Sequence, residues 1–145
     1  MMVRLVYVSR SEAVTDRRLI DAIINRSKSY NPAHGITGVL CYTGDVFMQV
    51  LEGGRDAVSR LFAEITHDSR HRDVTLIEFA EITERQFANW TMGEVNLAKV
   101  NPSVLLRHSE LPTLDPYQLN GRACAALLED LLSSAAVNSR SSATH

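Results

Sequence analysis

The sequence predicts an α+β fold with the order βαββαββ, and three observations carry that expectation. Residues 3–9 and 74–82 alternate apolar and polar side chains with the two-residue period of strands. Two stretches between strand-like runs place apolar residues at helical spacing: Leu19, Ile20, Ile23 and Ile24 in the first, Val58, Leu61, Phe62 and Ile65 in the second. Thr43-Gly44-Asp45 links two apolar runs directly, the mark of a β-hairpin.

In chain order, residues 3–9 set Val3, Leu5, Tyr7 and Ser9 on one strand face and Arg4, Val6 and Val8 on the other. Thr15 is the expected N-cap of the first helix, and Asp16 suits its positive end. Asn31-Pro32 is expected to stop that helix near Tyr30. Residues 36–42 and the run after Gly44 form the hairpin, and a second helix covers about 55–68. A charged connection, Ser69-Arg70-His71-Arg72-Asp73, leads to the fourth strand at 74–82, and residues 90–95 make the fifth. Two strand-helix-strand units with one amphipathic helix each imply a ferredoxin-like sheet, antiparallel or mixed, with both helices on one face and one added strand.

After Asn96 the character changes. Pro102 opens a short apolar segment, and Asp115 is expected to cap a final helix that starts at Pro116. Leu119, Ala123, Leu127, Leu128 and Leu131 form its apolar face. The expected division is a domain at 1–96, a helical extension at 97–133 covering the second face of the sheet, and a disordered tail at 134–145 rich in Ser, Ala, Asn and Thr.

The bulk properties exclude more than they assign. The 145 residues carry a formal net charge of −2, which gives no basic face for nucleic acid. No apolar run approaches the ~20 residues that cross a bilayer, and residues 1–9 alternate too regularly for a signal peptide. Cys41 and Cys124 show neither a disulfide framework nor metal-ligand spacing, so both are expected as reduced thiols in a cytoplasmic protein. Dinucleotide, P-loop, nucleophile-elbow and His-Glu-x-x-His motifs are missing, and no catalytic residue is assigned. His67 and His71 lie four apart, but solvated charges at a helix end explain them better than a metal does.

Residues 44–53 hold the oddity. Gln49 shares a strand face with Phe47 and Leu51, so its amide points where its neighbours are apolar. Without a partner a buried amide costs on the order of 1–3 kcal/mol, so something must bond it. Tyr7 is a second polar group in an apolar strand, and both are compatible with core residues bonded to backbone. Asn31 suits a cap or a turn. The turn of Asp68, Arg70 and His71 clusters cations, which are usually just solvated, and it is also able to hold a phosphate or a carbonyl edge. Together these groups are compatible with a pocket between the two helices, walled by Ile23 and Ile65, for a planar, heteroatom-rich ligand.

The same residues match a known pattern in type, order and spacing. Tyr7, Asn31, Gln49 within Phe47-Met48-Gln49-Val50-Leu51-Glu52-Gly53, the Asp68-x-Arg70-His71 turn and Trp90-x-Met92 resemble a BLUF domain, the flavin-binding blue-light sensor module. The resemblance covers roughly residues 2–96, and the remainder resembles more loosely the helical extension of stand-alone members. It implies FAD, with FMN or riboflavin as substitutes, between the two helices. Ile23, its neighbour Ile24, and Ile65 would pack on the ring, and Asn31 would bond its carbonyl and N3 edge. Asp68, Arg70 and His71 would help hold that end, and Gln49 would bridge Tyr7 and the N5/O4 edge. It also implies a photocycle in which electron and proton movement from Tyr7 leaves Gln49 rotated or tautomerised and the absorption shifted slightly to the red. Output would pass through the Trp90–Met92 strand and the C-terminal helices to a signalling partner in trans. Which of Trp90 and Met92 lies beside Gln49 stays open.

Two departures from the pattern are Tyr30, where some members carry histidine, and Thr91, where serine is expected. The alternatives are an enzyme on the same fold, a small phosphatase or a flavin oxidoreductase, and a light-insensitive interaction domain. The final helix is compatible with a homo-oligomer and equally with packing on its own sheet.

Overall fold

The computed structural model describes residues 1–11, 17–134 and 138–139. Strand β1 (Met2–Ser11) is followed by helix α1 (Arg17–His34), the hairpin β2 (Thr37–Thr43) and β3 (Val46–Gly54), helix α2 (Arg55–His67), β4 (His71–Ile82) and β5 (Gly93–Asn96). The βαββαββ order is therefore present, and the sheet runs β4-β1-β3-β2-β5. It is mixed: β2 and β5 are parallel, while the other ladders are antiparallel. The first four strands give the ferredoxin-like order, and β5 adds itself beyond β2.

Alternation along the strands builds two cores. Val3, Leu5, Tyr7, Phe47 and Leu51 face one side, where Ile20 and Ile24 of α1 and Val58 and Leu61 of α2 cover them. Val6, Val8, Cys41, Met48 and Val50 face the other side, under Leu105, Leu127, Leu128 and Leu131 of the C-terminal helices. The expected division of faces holds: two helices on one, the appendage on the other. Cys41 is a fully buried side chain in that second core.

Two glycines allow the hairpin side of the sheet to form. Gly44 opens the two-residue loop with φ of 55°, in the left-handed region that favours glycine. Gly38 passes so close to β3 that a methyl group there would collide with the Val50 carbonyl oxygen.

Several boundaries differ from the sequence expectation. Helix α1 does not stop near Tyr30 but runs to His34 with Pro32 inside it. The proline sits in the last turn, where the Ile36 N–H donates to the Asn31 carbonyl at 2.9 Å and the Gly35 N–H to the Pro32 carbonyl at 3.4 Å. With Gly35 at φ of 66°, this is a Schellman closure, and it carries the helix past the missing proline N–H. Asn31 is thus a helical residue. The N-cap expected at Thr15 and Asp16 lies outside the described residues.

Strand β4 starts at His71, earlier than 74, because the charged connection pairs with β1 as Ser11↔His71 and Arg10↔Arg72. Asp73, at φ of 53°, accommodates the irregular register there. Strand β5 is shorter than expected. A turn from the Phe87 carbonyl to the Trp90 N–H keeps Trp90 out of it, and the ladder begins at Val39↔Gly93.

The C-terminal extension comprises helix α3 (Pro102–Leu106) and helix α4 (Gly121–Ser133). Asp115 caps only the single 3-10 turn Pro116–Gln118, accepting from the Tyr117 N–H. The final helix begins after Asn120, whose Oδ1 accepts from the Ala123 N–H at 2.8 Å, so the expected start at Pro116 is corrected. Within 134–145, Ser134 caps α4, and Asn138–Ser139 form a short strand β6 antiparallel to β5. The rest of the expected tail lies outside the described residues.

Candidate cofactor cleft

Tyr7 and Gln49 are register partners across the β1–β3 ladder, so their side chains emerge side by side on the helix-covered face. The Tyr7 hydroxyl donates to Gln49 Oε1 at 2.5 Å, and Gln49 Nε2 donates to Met92 Sδ at 3.5 Å. The amide, 3% exposed, therefore turns its acceptor end to Tyr7 and one donor to a thioether, a weak acceptor. Burial, with a smaller contribution from the Asp68 carboxylate, pushes the Tyr7 phenol well above its ordinary range.

These two residues form the floor of a cleft between α1 and α2. Ile23 from α1 and Ile65 from α2 supply apolar walls. Asn31 lines the cleft and donates from Nδ2 to the Thr91 carbonyl at 2.9 Å. At the end of α2, Asp68 takes Arg70 in a bidentate pair, with the shortest contact 2.7 Å. Hydrogen bonds from Arg70 hold the Asp68 carboxyl down at about 2. The His71 Nδ1 lies 2.9 Å from Ser9 Oγ, and burial lowers the imidazole from its ordinary value.

Most of the residues expected from sequence come together. Tyr7, Ile23, Asn31, Gln49, Ile65, Asp68, Arg70 and His71 all line the cleft. Ile24 does not: one helical step from Ile23, it points into the core and is fully buried there. Trp90 does not either, since it packs against the second core with its ring 6.3 Å from Phe87. Met92 reaches Gln49, which settles for this structure which of the two lies beside the amide.

Arg26, Ser27, Tyr30 and Leu61 also line the cleft and were not among the expected site residues. For the first three the signal was spacing: Ile23, Arg26, Ser27 and Tyr30 lie at i, i+3, i+4 and i+7, one face of α1. Apolar walls, a rim of donors and a buried amide suit a planar heteroaromatic group with acceptors along its edge, as in a flavin ring.

The comparisons agree with this geometry. The family model for sensors of blue light using FAD matches residues 2–93. Photoactivated adenylate cyclase subunit beta of Euglena longa is 37% identical over 89 residues, which is 61% of this chain and 10% of that protein. Subunit alpha of Euglena gracilis is 33% identical over 88 residues, 61% of this chain and 9% of its own. The chain thus spans about a tenth of the length of these curated relatives. Among solved structures, BlsA in a photo-activated state is 31% identical with a TM-score of 0.78, covering 91% of this chain and 95% of BlsA. The BLUF protein BlrB in its dark state is 30% identical with a TM-score of 0.76, covering 92% and 96%.

Fold and cleft together define a small sensory domain that holds a planar chromophore. The chain belongs to the BLUF family, whose members sense blue light with a bound flavin.

Proposed function

We propose that this chain is a blue-light photoreceptor that binds a flavin non-covalently in the α1–α2 cleft and signals to a separate protein. The observation that carries the reading is the buried chain Tyr7–Gln49–Met92, in which one amide bonds a phenol at one end and a thioether at the other. When bound, the flavin supplies a blue-absorbing chromophore able to take up an electron and a proton. Ile23 and Ile65 would hold it between apolar walls, and Asn31, Arg70, His71 and Gln49 would supply its polar contacts. FAD is the proposed form, from the description of the family. Klebsiella pneumoniae BlrP1, 34% identical, has been determined with FMN, which supports acceptance of FMN as well.

Tyr7 keeps its proton at Oη in the dark, because the buried phenolate is disfavoured. Gln49 Oε1 is the acceptor through which that proton is oriented. Rotation or tautomerisation of the amide exchanges its donor and acceptor ends, redirecting both hydrogen bonds while the backbone stays in place. One such bond contributes only about 0.5–1.5 kcal/mol net, so the two arrangements lie close in energy and the dark state returns thermally. Met92 stands between that amide and β5, and β5 leads through Leu97 into the core that the C-terminal helices share. Residues 1–96 are the sensor, 97–133 the relay and 134–145 a tail in this reading. Among the described residues no helix is long and apolar enough to cross a membrane.

The test is direct. The purified protein should be yellow, and blue light should shift its absorption slightly to the red and reversibly. A colourless protein, or a flavin spectrum that only bleaches, contradicts the reading.

A further inference from the structure

Glu52 is the one carboxylate of β3, three residues after Gln49 and on the opposite sheet face, and it is fully buried. A buried carboxylate persists only where donors surround it. Arg4 of β1 supplies two, Nε at 2.9 Å and Nη2 at 2.7 Å, both to Oε2. The other donors are backbone groups of the connection between β4 and β5. The Phe87 N–H reaches Oε1 at 2.7 Å, and the Gln86 N–H reaches it at 3.0 Å. Arg85 ties the same point again, from Nη1 to Thr37 Oγ1 at 3.1 Å and from Nη2 to the Gly35 carbonyl at 2.7 Å.

From this anchor the chain crosses to β5. The Trp90 carbonyl accepts from the Gly38 N–H at 3.0 Å, the Thr91 carbonyl accepts from Asn31, and Met92 meets Gln49. Residues 88–92 are therefore a strap fixed at Phe87 by Glu52 and at Gly93 by the β2 ladder. With both ends fixed, Trp90 outside against Phe87 and Met92 inside against Gln49 are a single choice of register.

We propose that Glu52 is a positioning residue for the photoresponse: by holding the Gln86 and Phe87 amides, it fixes the strap so that Met92 faces the Gln49 amide in the dark. The inference rests on the photoreceptor reading above. Loosening the strap lowers the cost of reorienting Gln49, so the lit state relaxes sooner.

Trp90 is the only tryptophan of the chain, so its fluorescence reports the strap alone. In the full-length protein, Glu52→Gln keeps flavin and the red shift, recovers about tenfold faster, the factor that about 1.4 kcal/mol gives, and exposes Trp90 to iodide quenching in the dark. Arg4→Lys, which leaves the strap amides on Glu52, lowers thermal stability but keeps recovery within about twofold of the parent. Recovery and quenching unchanged in Glu52→Gln, or equal acceleration in Arg4→Lys, overturns the proposal. If Glu52→Gln does not fold, amide exchange of the unsubstituted protein decides. The Gln86 and Phe87 amides should be protected in the dark as strongly as those of β3, and rapid exchange at both overturns the clamp. A protein without any reversible red shift defeats the photoreceptor reading instead, and the quenching and exchange results still judge the clamp.

Discussion

Asn31 Nδ2 donates to the Thr91 carbonyl at 2.9 Å, joining the last turn of α1 to the residue next to Met92. One side chain therefore lines the cleft and fixes the strap that carries Met92. Its backbone does a third job, since the Asn31 carbonyl accepts the Ile36 N–H that closes the helix.

Replacing Asn31 by Ala should cost about 1–3 kcal/mol, because the Thr91 carbonyl loses its donor. Thermal melts should show the loss, and the flavin-to-protein absorbance ratio should fall with it. An unchanged melt would mean that the Asn31–Thr91 bond contributes nothing to the fold.

The pH dependence follows from His71 and Asp68. Burial sets the folded His71 value below its ordinary 6.5, so the neutral imidazole stabilises the fold. That contribution is present above about pH 6.5 and is lost as pH falls through the lowered folded value. Asp68, held at about 2 against an ordinary 3.8, stabilises above 3.8 and loses its contribution as pH falls toward 2. Melts between pH 3 and 8 should be flat near the top and decline below pH 6.5. In His71→Gln the first decline should vanish. Stability that rises from pH 7 to pH 5 would contradict the sign.

Leu127 is fully buried in the core between sheet and appendage. Leu127→Ala should cost about 2–5 kcal/mol through lost burial and the cavity left behind. Truncation after Asn96 should do worse, baring Val6, Val8, Val39, Cys41, Met48 and Val50 together and producing aggregation in light scattering. A soluble, monodisperse truncate would count against the packing.

What the sequence made legible follows from periodicity. Strand alternation placed Tyr7 and Gln49 on one face and Val6, Val8 and Val50 on the other, because a period of two leaves no choice once one face is buried. The end of α1 was not legible. Asn31-Pro32 is a local stop signal, and it was overridden by a Schellman closure at Gly35 that depends on Ile36 docking into the core. The start of α4 was misplaced for a similar reason: Asp115 and Asn120 are both competent caps, and only packing selects the second. In the site, Ile24 and Ile23 belong to one stripe, and a stripe does not say which member faces a cleft and which the core. Glu52 gave no signal, since its donors, the Arg4 guanidinium and the Gln86 and Phe87 amides, all lie more than thirty residues away in sequence.

The most direct measurement of the central claim is the light-minus-dark difference spectrum of Gln49→Leu beside the unsubstituted protein. Leucine keeps the bulk of the side chain and removes both ends of the hydrogen-bonded chain to Tyr7 and Met92. The account predicts a reversible red shift in the parent protein and, in Gln49→Leu, bound flavin with no reversible shift, as also in Tyr7→Phe. A Gln49→Leu protein that shifts and recovers like the parent would contradict it.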